Sequence, residues 1–419
     1  MTSDLKKCKL KDVCIKITDG SHFSPKPQNN GYPMFSVKDM LEHCFDYSNC
    51  KYISNDDYTK MERSGCVPQK NDILVAKDGS YLKQIFICKE TKKEAILSSI
   101  AIFRPNPDII IPKYLCYLLK SPKIYNHISL NCVSGSALPR IVLKDFKTVD
   151  IEIPTLEIQQ KIAKVLGAID DKIELNNSIN QNLEQQAQAI FKSWFIDFEP
   201  FGGTMPDDWG IGTLEDIAEF SNGYAFKSSE LLNQPENNCY HVFKQGHINR
   251  GGGFNPTGTK SWYPKDKSVG LEKYVLKKGD VLMAMTDMKD NVAILGNTAL
   301  MEIDDKYIVN QRVGLLRCKN DYGISYPYLY ILTNSTDFLT DLRKRANSGV
   351  QVNLSSTEIK NSEVIIAPKE INQKFDVIVK PFFEQIFAND IENERLTQIR
   401  DTLLPKLMNG EIDVDKVEV

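Results

Sequence analysis

Apolar positions recur every 3.5 residues through two long stretches of this chain. Alternate steps of four and three from Ile162 meet Leu166, Ile169, Ile173, Asn176, Asn180, Leu183, Ala187, Ile190 and Trp194. The same steps from Phe375 meet Val379, Phe382, Ile386, Asn389, Asn393, Leu396, Arg400, Leu403 and Leu407, each 213 positions further on. This rhythm keeps one seam of a helix facing a partner helix. It predicts two long helices, the first over 157–198 and about 60 Å long at 1.5 Å per residue. Asn176, Asn180, Asn389 and Asn393 interrupt both seams near their middles. A seam asparagine weakens a coiled coil but fixes its register, because it loses its hydrogen bonds against an apolar residue. Facing asparagines occur in parallel and antiparallel pairs alike, so the pattern leaves the orientation open. It also leaves open whether the partner helix belongs to this chain or to another.

The helices belong to a larger duplication. "IPTLEIQQKIAKVLGAID" (153–170) corresponds to "APKEINQKFDVIVKPFFE" (367–384), and "KNDILVAKDG" (70–79) to "KKGDVLMAMTD" (277–287). "TDGSHF" (18–23) corresponds to "SNGYAF" (221–226), and "SGSALPRIVLKDF" (134–146) to "SGVQVNLSSTEI" (348–359). "DILVAKDG" and "DVLMAMTD" read as short buried strands running into turns, and "PKYLCYLL" and "YPYLYILT" as a later helix in each copy. Each globular part is therefore α+β. The Gly- and Pro-rich stretch "FEPFGGTMPDDWG" (198–210) reads as a linker. The expected layout is a domain at 1–154, a central helix at 155–200, a second domain at 201–367 and a C-terminal helix at 368–413. Pro154 and Pro368 mark the starts of the helices, and Pro381 and Pro405 predict kinks or an end in the second.

Composition excludes several classes. The 419 residues are 42% hydrophobic and 26% charged, as in a globular protein. No apolar run approaches the roughly 18 residues of a membrane span, and the start "MTSDLKKCKLKD" lacks a signal-peptide core. The ten cysteines form no CxxC pair and the five histidines do not cluster with them, so reduced thiols in the cytoplasm are expected rather than zinc or disulfides. "GFNPTGTKS" (253–261) misses the phosphate-loop spacing by Thr259, and "NPTG" (255–258) lacks the second proline and aromatic of an amino-methyltransferase motif. No catalytic constellation stands out, and a net charge of −3 leaves only local basic faces for a nucleic acid.

The chain resembles the DNA-specificity subunit of type I restriction–modification systems. The motifs that carry the resemblance are "IPTLEIQQKIAKVLGAIDDKIELN" (153–176), "FKSWFIDFEPF" (191–201) and "IRDTLLPKLMNGEI" (399–412). The resemblance implies two similar target-recognition domains separated by two long antiparallel coiled-coil helices, with pseudo-two-fold symmetry. It implies a non-catalytic subunit that reads a bipartite, asymmetric DNA site. Its implied partners are double-stranded DNA, methyltransferase subunits (two expected) and restriction motor–nuclease subunits. The chain would carry no cofactor of its own. The assembled complex would use S-adenosylmethionine, with ATP and magnesium if it cuts. The alternative class is a coiled-coil scaffold that binds only proteins.

The resemblance places DNA contacts in loops, and three loops recur in both copies. The first holds Gly20, Ser21 and His22, matched by Gly223 and Tyr224. The second holds Lys77, Asp78, Ser80 and Tyr81, matched by Thr286, Asp287 and Lys289. The third holds Ser134, Ser136 and Arg140, matched by Ser348, Gln351 and Asn353. Glycine permits close backbone approach, Lys and Arg suit phosphate or guanine, Gln suits adenine, and Asp can accept from cytosine. Basic stretches at 5–12, 260–267 and 341–346 could follow a phosphate backbone or merely be solvated. Phe191, Trp194, Phe195 and Phe198 form either a docking surface for partner subunits or a core at the end of the helix.

Overall fold

The structure is a computed structural model that describes residues 5–78, 84–134, 140–288, 292–347 and 351–417. It divides into two units, Met1–Leu175 with Glu392–Val419, and Asn176–Ile391.

In the first unit the buried run Ile73–Ala76 lies inside a four-stranded antiparallel sheet, in the order Cys14–Asp19, Ile100–Pro105, Ile73–Ala76 and Ile85–Ile87. Lys51–Ile53, Tyr32–Phe35 and Ala95–Ile96 form a three-stranded sheet whose last pair is parallel. Lys6–Lys9 pairs with Asp150–Ile153, and helices Pro112–Lys120 and Pro122–Asn131 follow the main sheet.

The second unit repeats this order. Its four-stranded sheet runs Ala218–Asn222, Val313–Cys318, Val281–Ala284 and Thr298–Leu300. Its three-stranded sheet runs Trp262–Pro264, Cys239–Phe243 and Tyr307–Val309, again with a parallel last pair. Gly210–Thr213 pairs with Glu363–Ile366, and helices Tyr326–Asn334 and Thr336–Lys344 correspond to the earlier two.

Each main sheet carries the same polar lock. Asp72 and Asp280 are buried just before the central strand. Arg104 grips Asp72 through two bonds of 2.8 Å, and Arg317 grips Asp280 through another two of 2.8 Å. Each aspartate also accepts a backbone N–H from the preceding turn, Gln69 at 2.8 Å and Lys277 at 2.9 Å. That turn needs a left-handed residue, supplied by Asn71 (φ 70°) in one copy and Gly279 (φ 89°) in the other.

The predicted long helices are Leu156–Phe195 and Lys369–Met408, 40 residues each. The second runs unbroken through Pro381 and ends three residues past Pro405. The duplicated "IQQK" and "INQK" (158–161 and 371–374) have a structural reason. Gln159 is buried, donates to the Pro154 and Ile109 carbonyls and accepts the Ile111 N–H. Asn372 likewise donates to the Ala367 and Tyr322 carbonyls. Each carboxamide ties the first turn of its helix to its own domain.

Within each unit, half of one helix runs antiparallel to half of the other. In the first unit, Ile162 and Leu166 share a core with Leu404 and Leu407. Arg400 meets Asp170 at 3.0 Å and Lys172 meets Glu392 at 3.1 Å. Burial pushes the Asp170 carboxyl up, but hydrogen bonds from Tyr117 and Arg400 outweigh this and hold it below the usual carboxylate range. In the second unit, Phe191 and Phe195 pack on Phe375, with ring centres 6.1 and 5.2 Å apart. Asn389 donates to Asn180 Oδ1 at 2.7 Å, and Asn180 donates to Asp390 Oδ1 at 2.8 Å. Asn176 is fully buried and Asn393 half-buried.

Burial, aided by the charge of Glu184, raises the Asp390 carboxyl to about 6 despite its bonds to Glu302 and Asn180. The folded chain therefore holds this proton more tightly than the unfolded chain. The associated stability is full below about pH 4 and is lost as pH rises through about 6. Replacing Asp390 by Asn keeps an acceptor for Asn180 and supplies a donor to Glu302. The Asp390→Asn variant is expected to gain up to about 3 kcal/mol at pH 7 and to lose this slope, as read by urea unfolding between pH 4 and 8.

Candidate nucleic-acid interface

In the first unit the three recurring loops converge. Gly20 follows the edge strand Cys14–Asp19 where the chain crosses residues 96–97. A Cβ on Gly20 would lie 2.4 Å from the Leu97 carbonyl oxygen and 2.5 Å from that of Ile96. Its neighbour Ser21 donates its N–H to Ile96 O at 2.8 Å, and its hydroxyl closes a local turn with Phe23. His22 is exposed, with Nε2 3.7 Å from Asp19. Asp19 also holds the Lys77 ammonium at 2.5 Å, and the Lys77 side chain is only 4% exposed. Lys77 is thus the buried half of an ion pair, not a free phosphate ligand as the sequence suggested. Arg140 lies across a β-bridge from Asp78 and engages both its oxygens, at 2.8 and 2.9 Å. Asp78 therefore fixes Arg140 and is not an open acceptor for cytosine. Arg140 itself remains 58% exposed.

The second unit builds the equivalent place from different chemistry. A Cβ on Gly223 would lie 2.2 Å from the Asn310 carbonyl oxygen, matching the constraint at Gly20. Tyr224 packs in an aromatic group with Phe226 and Tyr274 at 4.9 and 5.5 Å. Strand Thr286–Met288 pairs antiparallel with Gln351–Asn353, placing Thr286 opposite Asn353. Thr286 is held on both polar sides by Gln245, whose amide donates to the Thr286 carbonyl at 2.6 Å and whose oxygen accepts its hydroxyl at 2.8 Å. Asp287 accepts the backbone N–H groups of Met288, Ala293, Ile294 and Leu295. It closes its own loop, which corrects the expectation of a cytosine acceptor. Ser80, Tyr81, Ser136, Lys289 and Ser348, with the side chains of Ser134 and Gln351, lie outside the described residues.

Sequence reasoning missed Asp19, Gln245 and Arg312. Asp19 sits beside the recurring glycine and organises both His22 and Lys77. Gln245 lies some forty residues from Thr286, and no pattern marks it. Arg312 is exposed beside the Gly223 crossing, with its carbonyl accepting the Met285 N–H at 3.3 Å.

The basic stretches are partly engaged with protein. Lys7 and Lys9 pair with Glu152 and Asp150, Arg343 donates to the Leu295 carbonyl, and Arg345 pairs with Asp341. Trp262 stacks on His241, with ring centres 5.1 Å apart. Of the aromatic cluster at the helix end, Phe191 and Phe195 are 3% and 2% exposed. They belong to the core of the second unit rather than to an exposed docking surface. Trp194 and Phe198 are half-buried against Phe375 and Trp209.

No group of three or more potential metal ligands occurs among the described residues. None of the described helices is long and apolar enough to cross a membrane.

The family described as "Type I restriction modification DNA specificity domain" matches residues 2–185 and 206–401. The chain is 27% identical to the type I restriction enzyme HindI specificity subunit of Haemophilus influenzae, over 98% of this chain and all of that protein. It is 28% identical to the MjaIX specificity subunit of Methanocaldococcus jannaschii, over 74% of this chain and 71% of that one. Among solved structures, the type I restriction–modification S subunit of M. genitalium shares the fold. The TM-score is 0.56 at 18% identity, covering 97% of this chain and 96% of that one.

Both loop glycines face backbone carbonyls, which an added Cβ would meet at 2.2–2.5 Å. Gly20→Ala and Gly223→Ala are each expected to destabilise the protein by about 2 kcal/mol or more, read as a lowered thermal midpoint.

Proposed function

The chain belongs to the type I restriction–modification DNA specificity family, whose part is recognition of DNA sequence and not catalysis, and from this premise we propose that it reads a bipartite, asymmetric site, one half-site per unit. The observation that carries this reading is the convergence of equivalent loops on equivalent sheets with unlike chemistry. The first unit offers an exposed Arg140 preset by Asp78, and an exposed His22 near Asp19. The second offers Thr286, Asn353 and Tyr224. A preset guanidinium suits guanine O6 and N7 or a phosphate, whereas carboxamides and hydroxyls suit adenine or backbone contacts. Two different surfaces on one duplicated frame predict two different half-sites.

In this reading the chain works beside methyltransferase subunits and, in a cutting complex, restriction subunits. S-adenosylmethionine would serve the former, and ATP with magnesium the latter. The site of action would be the cytoplasm, which suits ten cysteines that are all free thiols.

The test is a gel shift on bipartite duplexes taken from methylome comparison of hosts with and without this gene, with the methyltransferase present. Replacing residues 17–150 by an unrelated recognition domain is expected to change one half-site and leave the other. Specificity that survives the replacement sinks the reading, and absence of any salt-dependent duplex binding favours a protein-only scaffold. Arg140→Ala is expected to weaken binding about tenfold and to relax preference within one half-site only.

A further inference from the structure

We propose that a groove in the second unit receives a segment of a partner subunit in which an apolar side chain is flanked by lysine or arginine. The groove holds about 330 Å³ beside the end of the first long helix, and its floor is the buried face of Phe195, Tyr328 and Leu332. One wall is apolar and open. Ile196 is 36% exposed, and Ile211, paired across the strands with the groove residue Ile365, is 68% exposed. The rim carries Asp337, Asp341 and Glu363. Asp341 pairs with Arg345 at 2.7 Å. Asp337 and Glu363 have no ion pair among the described residues. The Lys192 ammonium is bound to Asp197 and acts on Asp337 through its field, without an ion pair.

The duplication supplies an internal control. The first unit has the equivalent groove, about 580 Å³, with Leu118, Ser121 and Ile124 where the second has Leu332, Ser335 and Phe338. There the cross-strand pair corresponding to Ile211 and Ile365 is Lys7 and Glu152, an ion pair at 3.6 Å. Lys123, which also reaches Glu152 at 3.0 Å, stands where the second unit has Asp337. Asp150, the counterpart of Glu363, is matched by Lys9 at 3.3 Å. In the first unit each rim charge is met within the chain. In the second, one ion pair has become an exposed isoleucine, Ile211, facing a half-buried one, Ile365, and one lysine has become an acid. Open apolar surface beside unmatched carboxylates is complementary to an apolar anchor with cationic flanks.

The inference rests on the proposed assembly with a methyltransferase subunit, the probe for its test. The full chain is mixed with that subunit, and affinity is measured at low and high salt for wild type, Ile211→Lys and the double variant Asp337→Lys/Glu363→Lys. All three altered side chains are exposed, so helical content and duplex binding serve as folding controls. The expected result is a loss of tenfold or more in both variants, with a salt dependence that is steep in wild type and shallow in the double variant. Wild-type affinity in both variants overturns the proposal. So does an equal loss from Lys123→Asp in the first unit, or a change in sedimentation of the variants alone, which would make a second copy of this chain the occupant. Loss of sequence-specific duplex binding by the wild type sinks the DNA reading instead. A wild type that binds duplex but not the methyltransferase overturns the groove and the assembly together.

Discussion

An amphipathic helix forty residues long cannot bury its apolar stripe against itself. The pairing of the two copies follows from that constraint. Most of the stability of such a helix comes from packing one face and little from propensity. Here each unit solves the problem by laying half of one helix antiparallel to half of the other: Ile162 and Leu166 with Leu404 and Leu407, Ala187 and Phe191 with Phe375 and Val379. Neither helix is complete without its duplicate. The asparagine notch makes the alignment specific. Asn180 spends its amide on Asp390 and its oxygen on Asn389, and Asn389 also accepts from Gln385 at 2.7 Å. Sliding one helix by a turn would set these groups against apolar neighbours and leave them unsatisfied.

The parts legible in the sequence are the periodic ones. The heptad steps and the strand runs "DILVAKDG" and "DVLMAMTD" depend on local spacing, and the duplication showed each signal twice. The function of the repeated "IQQK" and "INQK" was not legible. It lies in contacts from Gln159 to Ile109 and from Asn372 to Tyr322, about fifty residues apart. The loop side chains show the same limit. Lys77 looked like a phosphate ligand until Asp19, 58 residues away, took its charge. Asp287 looked like a base reader, but its oxygens are taken by backbone N–H groups on the far side of its own loop. Phe191 and Phe195 had two readings that only their burial could separate.

What the two copies keep and what they change divides along physical lines. They keep the sheet order, the crossing glycines and the Asp–Arg locks, which are features that fail when altered singly. A buried carboxylate stripped of its arginine costs about 3–5 kcal/mol, so Asp72–Arg104 and Asp280–Arg317 can change only as pairs. A Cβ at Gly20 or Gly223 meets backbone, which no neighbouring side-chain change can relieve.

The positions free to diverge are those whose partners diverge with them. Around the first set of loops, the groups that fix the surface are charged, Asp19 with Lys77 and Asp78 with Arg140. Around the second, the corresponding support uses no ion pair: Gln245 holds Thr286, the Asp287 carboxylate accepts backbone N–H groups, and a strand pair ends in Asn353. Each set is internally satisfied, so each presents its outer groups in a fixed geometry without cost to the shared frame beneath. A scaffold whose locks are invariant and whose loops carry self-contained polar networks can exchange one reading surface without disturbing the other. Under the proposed bipartite reading, that independence, more than any single contact, would let one polypeptide carry two unlike halves of a recognition code.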